Sequence, residues 1–203
     1  MSNSLLCISD ANEKVPFPNI SLFPGRDCGE AAKHCGRDCY AMKFTRFWPT
    51  VFNAWTQNSK AFRWADRSGD WSALRAEIIA YMKRPRHEPV RYFRIHVAGD
   101  FLSQAHVDFW SEIASSFSCT KWLAFTKQWQ LFFDKTPTNL QIIYSMWPGM
   151  PDNAPKTARR AWIQDSTEKR IPADAIECPG YCGNCGMCWS LATIGRDVYF
   201  HKH

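Results

Sequence analysis

The chain lacks any apolar run approaching the ~20 residues of a membrane span. Its first residues, MSNSLLCISDANEK, carry neither a basic stretch nor a sustained apolar core. No membrane partner and no secretory leader are expected, which implies a reducing, cytoplasmic location. The sequence also has no internal repeat and no low-complexity tract, which sets aside repeat architectures. Basic residues are not gathered into one block. The net charge of +6 is spread over small groups, such as Lys83-Arg84-Pro85-Arg86, Arg91/Arg94 and Lys156/Arg159/Arg160, for which solvated surface is the default reading.

What the chain has in abundance is cysteine and aromatic residues. There are nine cysteines in 203 residues, with 10 Trp, 14 Phe and 45% apolar residues, enough for one domain with a substantial core. Rings among charges would suit stacking of bases, yet most large aromatics are core, so nucleic acid is a weaker expectation. Nine thiols in a reducing compartment read as metal ligands before bridges. Cys7 and Cys119 stand apart and read as a small apolar and a tail residue.

Four of the others fall in Cys178-Pro-Gly-Tyr-Cys182-Gly-Asn-Cys185-Gly-Met-Cys188. Two-residue spacing lets one tight loop wrap the corners of a cubane, as in bacterial ferredoxin runs, which predicts a [4Fe–4S] cluster. Zinc is the second reading, although zinc sites usually join two separated Cys-x₂-Cys knuckles; disulfides are the third. An earlier group, Cys28, Cys35 and Cys39, offers three sulfurs. Three thiolates leave one iron of a cubane open to an exogenous ligand. Alternatively His34 or Asp38 completes the set, or a late cysteine does and only one site exists.

Periodicity places these groups. Residues 19–23 alternate as a short strand that Pro24-Gly25 ends before Cys28. Helices are expected over 50–65 (Phe52, Trp55, Phe62) and 71–84, the second with Asp70 as N-cap and Pro85 as stop. Strands follow at 91–97, 121–126 and 140–146. A helix capped by Ser103 lies after the first, a short helix around 128–134 after the second, and a last strand at 198–201. Strands alternating with helices predict an α/β fold: a partial, open (β/α) barrel of parallel strands over residues 1–150, then a C-terminal cysteine-rich, cluster-binding appendage over 151–203. In such a barrel Phe93, Ile95 and Val97 meet the outer helices. Arg94 and His96 then point into the lumen as candidate catalytic residues, with Gln141 and Ser145 on the same inner face and Lys127 as a weaker neighbour.

A strand followed by three cysteines with an aromatic after the last (Cys28, Cys35, Cys39-Tyr40), and a second strand ending in His96-Val-Ala98-Gly99-Asp100, resembles the core of the radical S-adenosylmethionine (SAM) enzymes. "RIHVAGDF" and "CPGYCGNCGMCW" are similar to small phage-encoded radical-SAM-like proteins of unknown function, over roughly residues 18–192. The spacing here is Cys-x₆-Cys-x₃-Cys instead of Cys-x₃-Cys-x₂-Cys, and the turn Ala-Gly-Asp instead of Gly-Gly-Glu. The resemblance implies a [4Fe–4S] cluster on Cys28, Cys35 and Cys39 whose open iron chelates and reductively cleaves SAM. Tyr40 would lie near the adenine, the Ala98–Asp100 backbone and carboxylate near the methionine ammonium, and Ser145 near a ribose or the substrate. Cys178, Cys182, Cys185 and Cys188 would hold an auxiliary [4Fe–4S] cluster that relays electrons. An enzyme of this kind needs a reductant such as flavodoxin or ferredoxin, in the host cytoplasm if phage-encoded, and its substrate is not specified. The alternatives are a non-catalytic iron–sulfur electron-transfer or cluster-carrying protein and a zinc-stabilised nucleic-acid binder.

Overall fold

The structure is a computed structural model that describes residues 4–12, 15–85, 89–190 and 195–201; Arg86 of the first basic group lies outside them. The helices are α1 (Ala32–Cys35), α2 (Tyr40–Phe47), α3 (Pro49–Ser68), α4 (Ser72–Met82), α5 (Gln104–Ser116) and α6 (Cys182–Cys185). The strands are β1 (Tyr92–Ile95), β2 (Lys121–Thr126), β3 (Leu140–Met146), β4 (Arg160–Gln164), β5 (Ile176–Glu177) and β6 (Val198–His201). All six strands are parallel in one open sheet ordered β1-β2-β3-β4-β6-β5, an α/β fold as the alternation of elements predicts. No helix among the described residues is long and apolar enough to cross a membrane.

Helix boundaries follow local chemistry. Pro49 opens α3, where a missing N–H costs nothing, and Gly69 closes it in the left-handed conformation. Ser103 caps α5, its hydroxyl accepting the His106 N–H at 3.2 Å. Asp70 accepts the Ser72 N–H at 2.9 Å, but Trp71 is the flanking residue of α4, so the expected cap sits one position early. The short helix expected at 128–134 is a pair of turns.

The two faces of the sheet are dressed differently. Phe93, Ile95, Trp122, Ala124 and Leu140 pack with Phe62, Leu74, Ile78, Val107, Trp110 and Ile113 from α3, α4 and α5. Each large side chain so buried contributes about 1.5–3 kcal/mol. On the opposite face Leu123, Ile143, Ala161 and Val198 meet Trp189, Cys182 and Cys188. The late cysteine loop therefore lies against the sheet where crossover helices are lacking. Residues 18–22 run parallel beside β1, with Arg94 N–H donating to Pro18 O at 2.9 Å and Leu22 N–H to Ala98 O at 2.9 Å. The sheet also runs through the expected boundary at 150: β4, β5 and β6 continue it on the far side of β3. Their short length and proline-rich flanks conceal β4 and β5 in the sequence.

Candidate metal centres

Cys28, Cys35 and Cys39 occupy the loop that leaves residues 18–22 at the carboxyl end of the sheet, and buried Asp27 fastens that loop. Its carboxylate accepts the Phe23 N–H at 3.0 Å, the Ser59 hydroxyl and the Arg63 Nε–H, while its carbonyl accepts the Asp100 N–H at 2.9 Å. Gln128 adds a third anchor, donating from Nε2 to Cys28 O at 3.0 Å. The 98–100 turn is held just as closely. Gly99 has φ +80°, and a Cβ there would stand 2.6 Å from the Leu22 Cβ, so only glycine lets the turn and the edge segment approach. The three-cysteine loop and the Ala98–Asp100 turn thus meet through Asp27 and Leu22, residues whose role no spacing rule announces.

The turn spends its acceptors on the protein itself. Ala98 O takes the Leu22 N–H, and the Asp100 carboxylate takes Thr126 Oγ1 at 2.7 Å, the Lys127 N–H at 2.8 Å and the Phe101 N–H at 2.8 Å. Burial pushes the Asp100 carboxyl upward, against the pull of the Lys127 backbone and charge. Ala98 and Asp100 therefore tie the tips of β1 and β2 together through bonds to the protein itself.

The three sulfurs sit close enough to govern one another. The Cys39 thiol is pulled down to about 6 by the hydrogen bond from Cys35 and by the Met42 and Ala41 N–H groups at the start of α2. Giving that hydrogen bond, and burial, raise Cys35. Burial, with Asp100 nearby, pushes Cys28 up to about 11. Lys127 opposes these rises as the neighbouring cation of all three. Tyr40 exposes the flank of its ring, while its hydroxyl donates to Val97 O and is pushed by desolvation to about 12.

Arg94 stands between the two cysteine groups. Its guanidinium lies 3.9 Å from the centre of the Phe125 ring on the sheet face opposite the helices, as alternation predicts. Burial lowers its pKa against the favourable influence of Tyr40, Cys188 and Cys182. Among the described residues its buried Nε has no hydrogen-bond partner. His96, expected beside it, turns the other way. With φ +50° it breaks the strand alternation and buries its ring against Phe62, Phe101, His106 and Trp110. Burial and the Arg94 charge hold it at about 3, so the expected lumen-facing His96 is corrected to a neutral core residue.

Cys178 follows β5, its N–H donating to Tyr199 O at 2.9 Å; Cys182 opens α6 and Cys185 closes it. Tyr181 folds over Gly183, where a Cβ would come 2.5 Å from the ring. Cys188 is pushed up to about 12 by burial, with Arg159 and Arg94 as its opposing cations, and Cys178 and Cys182 near enough to raise it further. Burial likewise raises Cys182, next to Cys178 and Cys185. Arg159, expected on the surface, is 9% exposed, and among the described residues its Nε and both terminal nitrogens lack a partner. Its neighbours are Cys188, Asp197 and Cys185. Arg160, by contrast, is spent on Asp152 at 2.8 Å and on nearby carbonyls.

The donor chemistry of both loops fits thiolate-ligated iron: three and four sulfurs grouped at strand ends, with half-buried Lys127 beside the first and the buried guanidinium nitrogens of Arg94 and Arg159 beside the second to offset an anionic centre. Among the described residues no three His, Cys, Asp or Glu side chains close on the position of a single ion, and no disulfide is formed. Ser145 lies opposite Ala161 on the face of Ile143, half-buried and away from the anchoring contacts just described. Two cavities, of about 440 Å³ and 190 Å³, have no cysteine in their walls.

Fold and site define an α/β protein with an open parallel sheet and two cysteine groups, one leaving residues 18–22 and one lying against the helix-free face. The chain belongs to the gene product 88 family, whose profile matches residues 3–191. No curated protein and no solved structure matches it.

Proposed function

We propose that this chain is a radical-SAM-like iron–sulfur protein built on an arc of a (β/α) barrel. In this reading Cys28, Cys35 and Cys39 hold a [4Fe–4S] cluster with an open iron, and Cys178, Cys182, Cys185 and Cys188 hold an auxiliary one within the C-terminal region. The observation that carries it is the placement of Arg94 and Arg159. Two guanidinium groups whose buried nitrogens lack a partner among the described residues face the late thiols, and Arg94 also faces Tyr40 at the edge of the three-cysteine loop. Buried cations persist when an anion compensates them, and an all-thiolate cubane is one. When bound, the first cluster would supply the electron that cleaves SAM. Asp27, Gln128 and Gly99 fix the loop, Lys127 would offset the charge of its thiolates, and Tyr40 follows directly on the last of them. An electron donor such as flavodoxin or ferredoxin would serve the reaction in cytoplasm, where thiols stay available as ligands.

One observation favours a second reading, a cluster-carrying or electron-transfer protein without SAM chemistry: Ala98 and Asp100 use their acceptors internally. Electron paramagnetic resonance on anaerobic, dithionite-reduced protein with and without SAM, repeated on Cys35→Ala, separates the two. The enzyme reading expects SAM to perturb one signal, and that signal to be lost in the variant. Two signals indifferent to SAM would leave the carrier, and zinc without iron would contradict both.

A further inference from the structure

Helix α2 turns its small residues inward and leaves both its large rings and its cations outside. The residues it buries are Ala41 and Thr45, while the stripe Tyr40, Phe44 and Phe47 faces solvent, with Phe44 47% and Phe47 75% exposed. The stripe continues across the junction with α3 through Trp48, 58% exposed, and Phe52, 43% exposed. Helices ordinarily turn such rings to the core, and a contiguous exposed aromatic patch marks an interaction site. Charge narrows the occupant. From Cys39 to Ala65 the sequence contains no Asp or Glu, whereas Lys43, Arg46 and Lys60 are exposed.

We propose that this stripe is a docking face for single-stranded nucleic acid, with bases stacking on Phe44, Phe47 and Trp48 and phosphates paired to Lys43 and Arg46. Lys43 lies one turn from both Tyr40 and Phe47 on α2, and Arg46 sits on the same exposed helix, so cations flank the ring stripe where the phosphates of a stacked strand would run. The rise between Tyr40 and Phe44 is about 6 Å and between Phe44 and Phe47 about 4.5 Å, which gives successive rings separate base planes. A duplex hides its bases from such rings. The stripe begins at Tyr40, directly after Cys39, and a bound strand would be led toward the three-cysteine loop. The docking face stands on its own observations; that the strand is the substrate of that site rests on the proposed function.

The test is fluorescence anisotropy of the full-length, iron-loaded protein with a short labelled single strand, in DNA and RNA form, and the corresponding duplex, over a range of salt. Single strands are expected to bind in preference to duplex. Phe44→Ala and Phe47→Ala should each weaken binding about tenfold. Lys43→Glu and Arg46→Glu should weaken it and flatten its salt dependence, with iron content and thermal midpoint unchanged in every variant. Absence of binding, equal affinity for duplex, or binding indifferent to the ring variants would overturn the proposal. So would a dimer that Phe47→Ala dissociates, which assigns the patch to a second copy. Ring-dependent binding by a protein that takes up no iron on anaerobic reconstitution would support the docking face while sinking the cluster reading, and iron-loaded protein without binding the reverse.

Discussion

His96 shows how one backbone angle reassigns a side chain. Strand periodicity places it beside Arg94, yet φ +50° rotates it onto the helix side, where neither ring nitrogen has a partner among the described residues. A neutral histidine held at about 3, against about 6.5 in an unfolded chain, contributes stability that is complete above pH 6.5 and is lost as pH falls toward 3, because the unfolded state then binds more protons. His106, which burial holds well below 6.5, acts in the same direction. Each group costs on the order of 1.4 kcal/mol per pH unit inside that window. The urea midpoint should therefore drop between pH 7 and pH 5, and drop less in His96→Phe. An unchanged pH dependence in that variant would place the imidazole in solvent.

At the scale of elements, strands at 121–126, 140–146 and 198–201 and the division of seven cysteines between two loops were legible because alternation and residue spacing are local properties. What holds the cysteines was not. Asp27 reads as an ordinary loop acid, and its value lies in Ser59 and Arg63 on α3, which only the tertiary fold brings to it. Arg159 reads as surface because a base beside Lys156 and Arg160 usually is. Its buried guanidinium beside the late thiols becomes visible only once β4 joins the sheet. Removing that charge disfavours the electron-rich state of a neighbouring cluster. Arg159→Met should lower the auxiliary potential by on the order of 60 mV, the one-electron equivalent of about 1.4 kcal/mol, while Arg159→Lys retains most of it. EPR-monitored redox titration measures the shift, and identical potentials in all three proteins would remove Arg159 from the site.

For the whole molecule, the parallel order of strands and the loops at their carboxyl ends followed from alternation, since parallel pairing requires crossovers. The seating of the late loop on the helix-free face did not, because it depends on which face α3, α4 and α5 leave uncovered. That arrangement sets Arg94 between Tyr40, which follows the first cysteine group, and Cys182 and Cys188 of the second. The central claim is that the two groups are two separate iron–sulfur centres. It is tested most directly by counting iron, acid-labile sulfide and zinc per chain in anaerobically purified wild type, Cys35→Ala and Cys185→Ala. Two cubanes give about eight iron and eight sulfide in the wild type and about half in each variant. Zinc without sulfide, or about four iron abolished by either substitution alone, would contradict it.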